Sequence, residues 1–91
     1  MPYIKQQLRP QLDASLAYLC EDIRTTGELN YAITRLCTGY LQPNVHNTYS
    51  DYNEIIGVLE CAKLEFYRRS VAKYEDEKIS ENGDVYPREV K

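Results

Sequence analysis

DYNEIIGVLECAKLEFYRRSVAKYEDEKISE, running from Asp51 to Glu81, is the stretch on which the fold turns. Its apolar residues recur at spacings of three and four, the signature of a helix. Ser50 offers an N-cap, and Asn82-Gly83 supplies a stop, so the spacing predicts one continuous helix over 51–81. At 1.5 Å per residue such a rod spans roughly 46 Å. Ile55, Ile56, Leu59, Ala62 and Phe66 form one apolar stripe along it. A second row, Gly57, Cys61, Leu64 and Val71, falls on nearly the opposite side. A helix that is apolar on two sides is usually buried on two sides. Gly57 would also let another backbone come close.

Upstream, residues 1–12 carry Pro2 and Pro10 and show no period, which predicts an extended arm. Asp13 is then a candidate N-cap, and Leu16, Leu19, Cys20 and Ile23 form one stripe of a first helix over 14–25, stopped by Gly27. A second helix over 28–41 places Leu29, Ile33, Leu36, Cys37 and Tyr40 on one face and ends before Pro43. The short turn between the two predicts an αα-hairpin. The hairpin is only about 20 Å long, so roughly half of the third helix extends beyond it. Residues 42–50 read as a loop and 84–91 as a short tail. Asn82-Gly83, flanked by Ile79 and Val85-Tyr86, could instead make a type I′ turn, but Pro87 interrupts the second strand and favours a helix cap.

The expected fold is therefore all-α and a single domain over 1–91. It is a short αα-hairpin packed on one long C-terminal helix, with an extended N-terminal arm. The arm or a second copy could cover the row Gly57, Cys61, Leu64 and Val71. Small cores gain area by association and two-fold dimers dominate soluble oligomers, so a homo-oligomer is expected with those four residues at its interface.

Composition sets further bounds. A chain of 91 residues with 43% hydrophobic and 27% charged residues is ordinary globular material. The net charge of −3 argues against general DNA or RNA binding, which draws on a basic excess. No apolar run approaches the roughly 20 residues of a membrane span, and the start lacks a signal-peptide pattern, so a cytoplasmic setting and no membrane are expected. Cys20, Cys37 and Cys61 are odd in number and widely spaced, which fits neither a disulfide framework nor a zinc site. They read as reduced thiols packed like small hydrophobes.

No catalytic constellation is evident. His46 sits alone in a polar loop, and Cys37 lies on a core stripe rather than in the electropositive, accessible setting of a reactive thiolate. No metal and no cofactor are expected, given one histidine and no phosphate-binding glycine loop. Glu60 and Glu65 could serve a carboxylate enzyme acting on a phosphorylated substrate, but nothing in their spacing singles them out. The compositional oddity is nine tyrosines beside one phenylalanine. Tyr67, Arg68, Arg69, Lys73 and Tyr74 interleave rings with cations, a pattern able to stack a base and hold a phosphate. Tyr67 and Tyr74 could equally pack as half-buried core edges while the cations stay in water. Lys63 falls on the main apolar face and needs a partner such as Glu60. Glu65 and Arg69 are spaced for a favourable pair.

Taken together, Met1-Pro2-Tyr3-Ile4-Lys5, Leu29 through Leu36 (LNYAITRL), Ile56 through Arg69 (IGVLECAKLEFYRR), and the ending Tyr74-Glu75-Asp76 with Glu81-Asn82-Gly83-Asp84-Val85-Tyr86 resemble a family of small uncharacterised proteins of tailed bacteriophages and prophages. The resemblance covers most of the chain and is weakest in the 42–50 loop. That family carries no assigned activity, so no functional residue is transferred. The resemblance implies an accessory binding protein, of the kind that disables a host defence component by sequestering a protein or a nucleotide signal in the host cytoplasm. The alternatives are an assembly oligomer with no ligand and, last, the carboxylate enzyme.

Overall fold

The computed structural model describes residues 1–43 and 45–87. Among them all regular structure is helical: α1 (Arg9–Asp22), α2 (Thr26–Tyr40), α3 (Tyr49–Phe66) and α4 (Ala72–Asn82), with a 3₁₀ turn at Gln6–Leu8 and a π-helical turn at Tyr67–Val71. The expected tail over 84–91 is described only as far as Pro87, and residues 88–91 lie outside the described residues.

The arm is shorter than expected, because α1 begins at Arg9 rather than near Ala14. Pro10 sits in the first turn, where its fixed φ suits the helix and its missing N–H is an orphan in any case. A proline that looked like arm is thus a helix start, and Asp13 lies inside α1 rather than at its cap. The guanidinium of Arg9 donates twice to the carbonyl of Ile4, at 3.0 and 2.8 Å, tying the remaining arm to the helix.

Between α1 and α2 the chain is extended at Ile23 and Thr25, and Thr25 caps α2 instead of ending α1. The Thr25 hydroxyl accepts from the Glu28 N–H at 3.1 Å, while Glu28 accepts from the amides of Arg24 at 2.9 Å and Thr25 at 3.0 Å. This reciprocal capping box places the boundary that the glycine signal at Gly27 misplaced. The Arg24 amide, against desolvation and helped by the Thr25 hydroxyl and amide, holds the Glu28 carboxyl below its usual range. A carboxyl with a depressed folded pKa stabilises above its ordinary value near 4.5 and loses that contribution as pH falls through the folded value. Thr25→Ala is expected to cost about 1 kcal/mol in a denaturant titration at neutral pH. The deficit should shrink in acid, where Glu28 is protonated in both proteins.

The third helix is capped by Thr48 rather than Ser50, again through a box: Asp51 N–H donates to the Thr48 hydroxyl, and Asp51 accepts from the Thr48 amide at 2.8 Å. From Tyr49 to Asn82 the backbone stays helical through the π turn, with Phe66, Val71 and Ala72 all near α-helical angles. Thirty-four residues make a rod of roughly 51 Å, which accounts for the 55 Å long dimension of the molecule. It ends at Gly83, where φ is +90° and the amide donates to the Ile79 carbonyl at 2.8 Å. A residue with a Cβ would be strained there. Tyr86 N–H then donates to the Asp84 carboxylate at 2.9 Å, so the 79–86 stretch is a helix cap and not a hairpin.

Packing is where the chain departs most from expectation. The backbones of α1, α2 and the rod do not approach closely along their lengths, so the single chain shows no tight hairpin layer. The three-residue extended connection holds α1 and α2 apart. Ala32 is the one buried residue among those described. Stripe residues stand open, including Ile56 at 63%, Leu36 at 56% and Phe66 at 66% exposure. Cys20 and Cys61 are exposed and Cys37 is half-buried, so the thiols are not packed into a core of this one chain. The accessible surface is 8819 Å², against about 5,500 Å² for a compact chain of this mass. The radius of gyration is 18.0 Å, where a globule of this length would have about 12 Å.

Candidate interaction surface

Glu54, Gly57, Val58, Cys61, Leu64, Glu65 and Arg68 succeed one another at spacings of one and three and share one face of α3 and the π turn. α2 runs beside the first half of that face. Leu36, Cys37 and Tyr40 of α2 and Ile55, Val58 and Cys61 of α3 line an open apolar groove of about 630 Å³, which Met1 reaches from the arm. A shallower hollow of about 250 Å³ continues it past Cys61 to Leu64, Glu65 and Arg68, with Met1 and Pro2 on its other side. The two hollows make one strip, acidic at Glu54 and basic at Arg68.

Of the four expected interface residues, Gly57, Cys61 and Leu64 lie on this strip and Val71 does not line it. The π turn between Leu64 and Val71 adds about one residue to the helical repeat and rotates the remainder of the rod off the row. Val71 and Ala72 are half-buried instead, while Leu64 stays 56% exposed.

The five-residue cluster is dispersed by the same turn. The Tyr67 hydroxyl donates to Glu75 at 2.7 Å. Eight residues apart, these positions would sit about 80° from each other in an uninterrupted α-helix, and the π turn brings them into line. That hydrogen bond, with the negative charge behind it, pushes the Tyr67 phenol up. Arg68 donates to Glu65 at 2.7 Å, which makes the observed pair i,i+3 rather than the expected Glu65–Arg69. The Arg68 hydrogen bond holds the Glu65 carboxyl down against desolvation, with the Tyr3 hydroxyl and Arg69 adding to it. Tyr74 carries Lys78 over its ring at 5.4 Å, and Lys78 also reaches Glu81 at 3.1 Å. Arg69 and Lys73 hold no ion pair among the described residues. The rings and cations thus serve separate partners and do not converge on one pocket.

Glu60 pairs with Lys63 at 3.2 Å, both exposed, as anticipated for that lysine. His46 is exposed in the loop. The arm, one of the two covers anticipated for the second apolar row, lies along the strip at Met1 and Pro2, and Tyr3 stands beside the Glu65–Arg68 pair. The apolar tetrapeptide ahead of Lys5 was the available signal, but which of these residues meets Cys61, sixty positions from Met1, has no local trace.

A family model described as a domain of unknown function (DUF6899) matches residues 1–85. The chain belongs to that family. The match takes in the arm, all four helices of this DUF6899 chain and the helix cap at Gly83. No curated protein and no solved structure matches it. No helix among the described residues is long and apolar enough to cross a membrane.

Proposed function

We propose that this chain is a non-enzymatic interaction protein that self-associates and holds another protein, serving as an accessory protein of a tailed bacteriophage directed at a host defence component in the host cytoplasm. One observation carries the interaction reading: 8819 Å² of accessible surface, roughly 3,000 Å² more than a compact chain needs. Part of that excess is large hydrophobic side chains such as Leu36, Ile56 and Phe66, which are costly to leave in water, and another polypeptide is what covers them. The hairpin-on-rod packing expected from the sequence belongs, on this reading, to the assembled form. The bacteriophage setting rests on the resemblance of the arm, the 29–36 and 56–69 blocks and the ending.

A protein partner fits better than a nucleotide signal. Arg68 is engaged through Nε by Glu65, Tyr67 by Glu75 and the Tyr74 ring by Lys78, so these rings and cations are drawn to separate partners rather than to one phosphate. Glu60 and Glu65 are likewise each engaged by a cation one turn on, which gives the carboxylate-enzyme alternative no support.

Titration calorimetry with cyclic and linear nucleotides is expected to show no heat, and Arg69→Ala and Lys73→Ala to leave protein binding from host lysate unchanged. Heat that Arg68→Ala abolishes would replace the protein partner with a nucleotide. A sharp, concentration-independent mass of one chain in light scattering would remove self-association.

A further inference from the structure

The strip from Glu54 to Arg68 matches itself when reversed. We infer that it pairs with the same strip of a second copy, the two rods antiparallel about a two-fold axis beside Cys61. This rests on the proposal that another chain completes the core, and specifies which chain and which face.

Outward from Cys61, Val58 meets Leu64, Gly57 leaves room opposite Glu65, and Glu54 meets Arg68. Val58 and Leu64 are equidistant, so apolar faces apolar. Glu54 and Arg68 are equidistant, so at both ends a guanidinium that keeps its Nε bond to its own Glu65 turns its remaining N–H groups to the partner's carboxylate. A two-fold interface requires this reciprocity, because residue i meets j wherever j meets i. A parallel pair would set Glu54 against Glu54 and Arg68 against Arg68, which like-charge repulsion disfavours. Antiparallel rods also set helix dipoles head to tail.

Steric evidence agrees. Gly57 lies in the helix interior, where glycine is unfavourable relative to alanine. A Cβ there would meet nothing within 4 Å, so the chain itself has no use for the missing side chain. One turn on, Cys61 is also small and exposed. The two lower the wall of the strip where a second backbone would cross. The arm does not fill the place, since Met1 is 84% exposed and Val58 and Leu64 remain open beside it. The uncovered excess of roughly 3,000 Å² comfortably exceeds the about 800 Å² each partner gives to a stable interface.

The test uses the full chain with Cys61 as the sole cysteine (Cys20→Ser, Cys37→Ser) and a short bis-maleimide. Efficient covalent dimer is expected, and little from the chain keeping only Cys20. Glu54→Arg and Arg68→Glu should each weaken the dimer about tenfold, and together restore it, because the reversed pair again matches. This exchange keeps the test sharp even if bulky substitutions at Gly57 hinder folding. A dimer by light scattering that cross-links at Cys20 but not Cys61, or a double exchange that stays as weak as the singles, overturns this pairing and leaves self-association standing. A monomer at micromolar concentration overturns both.

Discussion

A roughly hundredfold dilution is expected to lower the thermal midpoint of this protein by about 5–10 °C. The cause is the missing interior. Ala32 is the one buried residue among those described, and α1, α2 and the rod stand apart, so a lone chain gains little hydrophobic stabilisation to set against its lost conformational entropy. If folding and pairing are one event, each hundredfold fall in concentration removes about 2.7 kcal/mol per dimer through mass action. For an assembly of two such chains, 1 kcal/mol moves the midpoint about 2–4 °C. Melts followed by circular dichroism across a concentration series read the effect directly. A midpoint that stays fixed would mean that the single chain collapses onto its own apolar faces, and the interaction reading would lose its main support.

Deleting Ser70 is expected to restore a regular α-helix between α3 and α4 while leaving α4 facing as it does now, the second expected result. The π turn holds one residue more than an α-helix needs, and removing that residue lets the backbone return to regular α geometry. Tyr67 and Glu75 would then stand seven residues apart and remain in line, but through different rotamers and with the turn between them tightened. Later positions keep their facing as well: Val71 would stand six residues after Leu64, still off the row of Cys61 and Leu64, and Ala72 would stay half-buried. The Tyr67 titration reports the first part. Its raised pKa means that the Glu75 hydrogen bond stabilises below the ordinary phenol value near 10.0 and fades as pH rises through the folded value. In tyrosine ring-carbon spectra, Glu75→Gln should bring Tyr67 back toward that ordinary value while leaving the π turn in place. The Ser70 deletion should leave the Tyr67 phenol raised, because the pair stays in line. Proteolysis near 67–72, slower in the deletion than in the parent, would show that the π turn is the weak point of the rod. Equal rates would show that it is as firm as its neighbours.

The helical content was legible because it rests on local rules. The spacing of Ile55, Leu59 and Phe66, the stop at Gly83 and the break at Pro43 each act within a few residues. Boundaries were harder where two local signals competed. Pro10 reads as arm or as first turn, and Thr25-Thr26-Gly27-Glu28 reads as a glycine stop or as a capping box. In each case the winner satisfies more orphan backbone groups. The candidate surface was half legible. Gly57, Cys61 and Leu64 emerge from spacing alone, but Val71 was misplaced because a π turn has no clear signature in residue types.

What the order of amino acids determines unaided is therefore the set of helices, their caps and the two-sided apolar character of the rod, all of which depend on neighbours along the chain. Only the three-dimensional structure decides that α1 and α2 fail to enclose that rod, that Met1 and Pro2 lie along its strip, and that the cluster from Tyr67 to Tyr74 divides among separate partners. Those outcomes depend on the angle of an extended three-residue connection and on one added residue in a helical turn. Small local rotations of that kind are carried over tens of ångströms by rigid helices, and periodicity does not encode them.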